Sequence, residues 1–220
     1  MRTKNGKLSN VQYNRFMKLH EPAYFTLLSI VQGVALAFLA TNFPSKICWN
    51  AENIRFLTTF IIIVLTWNEY LMGVASLKWI PTLFDALIPF TLCMIEIFLS
   101  KRIADPPKWY FGMFLFTLGS TIAFMNMYIQ AWRHKAKNKK MLRRLRTWKH
   151  VSWILCLSFS PCFFVFWLTE RTANDEVLSI LSLSISVIFA VRTWFYWRKI
   201  VGPKKAFKKR YAFWERIKLS

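Results

Sequence analysis

Long hydrophobic runs separated by short polar or basic segments make up most of the chain. Each run is about 20 residues long, enough helix to cross a bilayer core, because an α-helix rises about 1.5 Å per residue. The sequence therefore predicts an all-α fold, a polytopic bundle of about six transmembrane helices. The predicted spans are Ala23–Phe43, Phe56–Ser76, Pro81–Ser100, Trp109–Ala131, Val151–Leu168 and Val177–Trp197.

The segments between the runs divide the chain into five parts. Residues 1–22 form a basic N-terminal segment and residues 132–150 a basic loop, both predicted to be cytoplasmic. Residues 23–131 hold the first four spans, and residues 151–197 hold the last two. Residues 198–220 are predicted to form a basic amphipathic helix, because their apolar positions recur at helical spacing.

Charge sets the predicted orientation. The chain carries 31 Lys and Arg against 10 Asp and Glu, and 55% of its residues are hydrophobic. With six spans, 24 of the basic residues fall in four segments on one side, and six fall in the loops on the other. Lys and Arg collect on the cytoplasmic side of membrane proteins. We therefore predict a membrane protein with both termini in the cytoplasm.

Two of the basic segments also have an apolar stripe, "KMLRRLRTWKH" and "KKAFKKRYAFWERIKL". Basic amphipathic helices of this kind bind anionic lipid or a groove on a partner protein. The alternative is that the charge only follows the positive-inside rule, with long side chains reaching the headgroups. Direct nucleic-acid binding is not expected, because the sequence has no RRM, KH or helix-turn-helix signature. The candidate partner or lipid-binding residues are Arg133, Lys139, Lys140, Arg143, Arg144, Arg146, Trp148, Phe207, Lys208, Tyr211 and Trp214.

Small residues recur every four positions in two of the spans. In membranes, such ladders let helix backbones approach closely. They can pack helices within one protomer or form the interface of a homo-oligomer, and the sequence leaves both open. The ladder residues are Ser29, Gly33 and Ala37 in the first span, and Ser182, Ser186 and Ala190 in the last.

Ionisable residues inside the spans are the main candidates for function. Such groups are costly in lipid and usually face the bundle interior. Glu69, Asp85 and Arg192 are predicted at similar depth, with Arg192 as the common cation. Glu96 lies about three turns beyond Asp85 on the same helix, with no cation at its depth. Four neutral polar residues also lie within the predicted spans: Gln32, Asn68, Asn126 and Gln130.

Two interpretations of these residues remain open. They either fix the register of the helices through buried ion pairs or form a polar path for cations or protons. Enzyme chemistry is not predicted, since the chain has no HExxH, GxSxG or Walker A motif. The four cysteines are scattered, so neither a disulfide framework nor a metal site is expected, and no cofactor is expected.

Three stretches, "EPAYFTLLSIVQGVALAFLATN", "WNEYLMG" and "FDALIPF", followed by basic segments, resemble the membrane subunits of bacterial anti-phage systems of the Kiwa type. Members of that family have four spans, two fewer than this pattern predicts. The resemblance implies an inner-membrane oligomer that responds to phage attack and recruits a cytosolic partner able to bind DNA. No catalytic residue is implied by it.

The sequence thus predicts a sensor or scaffold that assembles with itself and docks a cytosolic partner on its basic face. A small ion channel or transporter built around the intramembrane carboxylates is the alternative.

Overall fold

The computed structural model describes residues 10–44, 48–76, 83–169 and 174–201. These residues form six α-helices and no strand, which confirms the all-α prediction for the described part of the chain. The helices are α1 (Asn10–Ala40), α2 (Ala51–Ser76), α3 (Leu83–Lys101), α4 (Pro106–Arg133), α5 (Lys135–Thr169) and α6 (Asp175–Val201).

Three helices begin at side-chain caps on the same end of the bundle, called here the capped end. Asn50 accepts a hydrogen bond from Asn53 N at 2.8 Å, and Asn174 accepts one from Glu176 N at 2.9 Å. Asp105 accepts one from Lys108 N at 3.4 Å. Each cap satisfies a backbone N–H that has no partner within its helix. The caps therefore define where α2, α4 and α6 start.

Consecutive helices alternate in direction. At the capped end, the α3 residue Lys101 lies 4.8 Å from the ring centroid of Phe38 near the end of α1. At the other end, Tyr24 of α1 donates a hydrogen bond to the Asp85 carbonyl oxygen near the start of α3, at 2.6 Å. That end also holds the turn at His134 between α4 and α5, and is called here the basic end.

The helix pairs that pack most closely are α4 with α5, α2 with α6, α3 with α4, and α1 with both α2 and α3. The core is built from fully buried side chains that include Leu28, Ile63, Leu99, Trp109 and Phe163. Large apolar side chains also lie on the outside of every helix, for example Ile30, Phe60, Met94, Ile122, Leu168 and Ile188. An exterior of this kind suits lipid better than water.

Four helices are long and apolar enough to cross a membrane, within Pro22–Ala40, Ala51–Ala75, Pro106–Arg133 and Asp175–Phe195. A shorter apolar stretch covers Cys156–Thr169. These helices indicate a multi-pass membrane protein, but the prediction of about six spans is not confirmed.

Residues 132–150, predicted as a basic cytoplasmic connection with an amphipathic helical stretch, are almost entirely helical in backbone. The turn is limited to His134, and a continuous helix of 35 residues begins at Lys135. Alanine, leucine, lysine and arginine favour the helix, and no glycine or proline interrupts residues 135–160. The basic residues after His134 therefore belong to the α5 helix.

Candidate functional site

The best-connected polar cluster lies at the capped end, around Arg55 in the first turns of α2. Its guanidinium Nη1 donates to both carboxylate oxygens of Asp175, at 2.7 and 2.6 Å, and Nε donates to the Ile103 carbonyl oxygen at 2.7 Å. The Tyr110 hydroxyl lies 3.1 Å from Asp175 Oδ1 and 3.1 Å from Ser179 Oγ. Arg55 is only 3% exposed. This cluster joins α2, α4 and α6 to the loop after α3.

The Arg55 cluster was not predicted from the sequence. The second span was predicted to begin at Phe56, which left Arg55 in a loop, and Asp175 was not singled out. Asn50 followed by Glu52 is typical of a helix start, and this signal would have moved the boundary to Ala51. Arg55 would then have been recognised as a cation inside a helix.

Contacts are described for each of Glu69, Asp85 and Arg192, the three residues of the predicted intramembrane group. Asp85 Oδ1 accepts a hydrogen bond from Asn126 Nδ2 of α4 at 2.7 Å. The charges of Glu69 and Arg192 both lie within electrostatic range of the Cys156 thiol of α5. The Arg192 guanidinium also lies 5.8 Å from the Phe189 ring centroid. Glu69 and Asp85 are both buried, and Asn68 beside Glu69 is half-buried.

Glu69 and Asp85 line two neighbouring cavities inside the bundle. The larger, of about 80 Å³, is lined by Glu69 and otherwise mainly by aromatic and aliphatic side chains of α2, α4, α5 and α6. The smaller, of about 10 Å³, is lined by Asp85, Asn126 and Tyr24. Tyr70 lines both cavities, and its buried hydroxyl has no hydrogen-bond partner. The two carboxylates therefore flank a shared wall at Tyr70.

Glu96 lies apart from both cavities, between α1, α2 and α3. Its side chain is 0% exposed and that of Gln32 is 1% exposed. Gln32 and Thr66 face the Glu96 carboxyl group, but neither reaches hydrogen-bond geometry with it. All four polar side-chain atoms of Gln32 and Glu96 are buried without a partner, which is rare for such groups.

The two ladders of small residues have opposite environments. Ser182 and Ser186 of α6 are buried inside the protomer, and Ala190 is half-buried. Ser29, Gly33 and Ala37 of α1 are all exposed. A Cβ atom added at Gly33 would meet nothing within 4 Å. The α6 ladder packs against other helices of the protomer, whereas none of the described residues covers the α1 ladder.

Only part of the predicted basic face can be described. Arg133 at the end of α4 and Lys139 in the second turn of α5 are both exposed at the basic end. The α5 backbone is described through the positions of Lys140, Arg143, Arg144, Arg146 and Trp148, but their side chains lie outside the described residues. Phe207, Lys208, Tyr211 and Trp214, in the predicted C-terminal helix, also lie outside them.

No group of three or more His, Cys, Asp or Glu in the described ranges could hold a metal ion. No protein-family model, no curated protein and no solved structure matches this chain. The comparisons therefore provide no support for the resemblance to Kiwa-type membrane subunits.

Proposed function

We propose that this chain is a six-span protein of the bacterial inner membrane that acts as a sensor or scaffold. It assembles with copies of itself and docks a cytosolic protein through its basic face, with both termini in the cytoplasm. The resemblance to Kiwa-type subunits implies a role in anti-phage defence and a cytosolic partner able to bind DNA. It performs no catalysis of its own.

The exposed α1 ladder is the observation that carries the proposal of self-assembly. A series of small residues such as Ser29, Gly33 and Ala37 allows the backbone of a second helix to approach closely. The small side chains themselves bury little apolar surface. No helix of the part of the protomer that the structure describes covers this series. A second copy of the chain, packed along the same face, would use it.

Alternating helix directions support six spans. The α2, α4 and α6 helices start at the capped end, so α3 and α5 must return to it, whatever their apolarity. The basic end then collects the α4–α5 turn, where Arg133 and Lys139 are exposed. Positive charge on such a surface attracts anionic lipid headgroups and acidic protein surfaces.

Cysteine crosslinking in native membranes tests self-assembly. In a background without the four native cysteines, Gly33→Cys is compared with Ser182→Cys, which is buried within the protomer. We expect oxidation to produce a covalent dimer through Gly33→Cys and none through Ser182→Cys. Monomer alone at both positions would contradict the proposed α1 interface.

Purification from gently solubilised membranes, followed by mass spectrometry, tests partner docking. We expect a specific cytosolic protein to copurify with the wild type and to be lost when Arg133, Lys139 and Arg143 are changed to Glu. The matched control reverses Lys101, Arg102 and Lys108 near the capped end, the same number of charges. Equal loss in both variants would count against a docking site at the basic end.

The two cavities favour a second candidate function, a small channel or transporter. Carboxylates in adjoining intramembrane cavities are typical of cation and proton pathways. If this function is present, proteoliposomes should conduct cations or protons, and Glu69→Gln and Asp85→Asn should reduce the flux, because these two carboxylates line the cavities. Truncation after Val201 should leave the flux unchanged while abolishing partner docking. Flux that is absent, or unchanged in both variants, would exclude conduction through these carboxylates.

A further inference from the structure

Glu96 and Gln32 form a matched set of unsatisfied groups. Glu96 on α3 has two carboxyl oxygens without a partner, and Gln32 on α1 has one amide oxygen and one amide nitrogen without a partner. Both side chains are buried, and their helices α1 and α3 pack together. The Gln32 amide lies within interaction range of the Glu96 carboxyl group, so the unsatisfied atoms of the two side chains are neighbours.

Thr66 restricts the chemistry of Glu96 further. The single hydroxyl hydrogen of Thr66 is donated to the Ile62 carbonyl oxygen at 2.8 Å. The Thr66 oxygen can therefore only accept a hydrogen bond from Glu96. An ionised carboxylate is acceptor-only and cannot provide that hydrogen, whereas a carboxylic acid can.

Two further groups lie near Glu96, the phenol of Tyr70 on α2 and the thiol of Cys93 on α3, and neither carries a positive charge. Within the described ranges, no cation is paired with Glu96. Cys93 Sγ donates its hydrogen to the Val31 carbonyl oxygen at 3.2 Å. An ionised carboxylate left here without a cation or sufficient donors would cost several kcal/mol.

A carboxylic acid and a primary amide complement each other fully. The acid O–H donates to the amide oxygen, and the amide N–H donates to the acid carbonyl, which closes a ring of two hydrogen bonds. We propose that Glu96 binds a proton in the core of the bundle and that the resulting acid pairs with Gln32 to join α1 to α3.

This site couples protonation to the position of α1. In the packed state, Glu96 keeps its proton because water does not reach it. Release of the proton to water requires α1 to separate from α3, which leaves the carboxylate and the Gln32 amide solvated. The inference goes beyond the docking function proposed above and stands without it.

Infrared spectroscopy of the full chain in liposomes tests the site directly. A protonated carboxyl has a C=O stretch distinct from that of a carboxylate, and the stretch shifts in deuterated water when the group exchanges. We expect this band at neutral pH in the wild type, its loss in Glu96→Gln, and its persistence in the controls Glu69→Gln and Asp85→Asn. Gln32→Leu should shift the band, because the acid loses its amide partner.

Three results would overturn the proposal: no protonated band at neutral pH, a band unchanged in Glu96→Gln, or a band lost in a control variant instead. Glu96→Gln keeps a donor and an acceptor for Gln32, so it is expected to fold. An unchanged thermal transition in detergent confirms this for the sample measured. Partner docking does not enter the measurement, so the two proposals fail separately.

Discussion

The Arg55 guanidinium and the Glu96–Gln32 pair are both buried, but their polar surroundings differ. Arg55 donates hydrogen bonds to a carboxylate, a serine hydroxyl and a backbone carbonyl. Glu96 is as deeply buried, and among the described residues it has no cation or hydrogen-bond partner. Burial alone therefore does not tell whether an ionisable group is charged.

The position of each cluster along the bundle explains the difference. The Arg55 cluster lies at the capped end, where helix N-termini and loop carbonyls provide polar groups. The Glu96 side chain lies among the middle turns of α1, α2 and α3, where backbone groups are already paired within the helices. A charge can be matched at the first location, whereas the second accepts only a neutral group.

Breaking the ion pair should have the largest effect on stability. Asp175→Ala leaves the Arg55 guanidinium buried without its counter-charge, and we expect a loss of about 3 kcal/mol in the free energy of unfolding. The double variant Arg55→Met/Asp175→Ala removes both charges and should cost less than the two single changes added together. Reversible unfolding in detergent micelles measures all four proteins. A strictly additive double variant would mean that the two residues are not coupled.

The Glu96–Gln32 pair should respond differently to loss of each member. Gln32→Leu removes the amide and leaves the carboxyl group without a partner, at an expected cost of about 2 kcal/mol. Glu96→Gln should cost less than about 1 kcal/mol, since an amide offers the same donor and acceptor as the acid. The same unfolding assay compares them. If Glu96→Gln destabilised the protein as strongly as Asp175→Ala, the amide would not replace the acid beside Gln32, and the proposed acid–amide pair would be wrong.

Two tyrosines allow the comparison to be made with a single hydroxyl. Tyr110→Phe removes the hydrogen bond to Asp175 and is expected to cost about 1 kcal/mol. Tyr70→Phe removes a buried hydroxyl that has no partner, so its effect should be neutral or slightly stabilising. Both changes keep the ring. Equal destabilisation by the two variants, measured by thermal unfolding, would show that Tyr70 has a partner after all.

The helices were predictable from the sequence because hydrophobic runs report local structure. Each of the six predicted spans overlaps one observed helix. Residues 132–150 were predicted as a basic connection between spans that contains an amphipathic helical stretch, and the fifth span was predicted to begin at Val151. The α5 helix already begins at Lys135, because lysine and arginine favour helix as much as most apolar residues do. The charge pattern therefore did not indicate where this helix begins.

The candidate sites were predictable only as a list of residues. Glu69, Asp85 and Glu96 stand out because carboxylates are rare in apolar runs. Their partners could not be read from the sequence, since Asp85 and Asn126 are 41 positions apart, and Arg55 and Asp175 are 120 apart. The rotation of each helix decides these contacts, and the packing of the whole bundle sets it. The same holds for the ladders, of which one is buried and the other exposed.

The exposed pair of Asp105 and Lys108 should show the smallest effect and tests whether burial gives the Arg55 cluster its strength. Lys108 Nζ lies 2.7 Å from Asp105 Oδ2, and this hydrogen bond lowers the pKa of Asp105 below its ordinary value of 3.8. A lowered pKa stabilises the folded state above the ordinary value, and the stabilisation is lost as the pH falls through the folded value. Lys108→Met should therefore cost less than about 1 kcal/mol at neutral pH. The difference from the wild type should shrink as the pH falls below the ordinary pKa of 3.8 toward the lower pKa of Asp105 in the folded state. Unfolding measured across this pH range gives the cost of Lys108→Met. If that cost were as large as the cost of Asp175→Ala, burial would not explain the strength of the Arg55 ion pair.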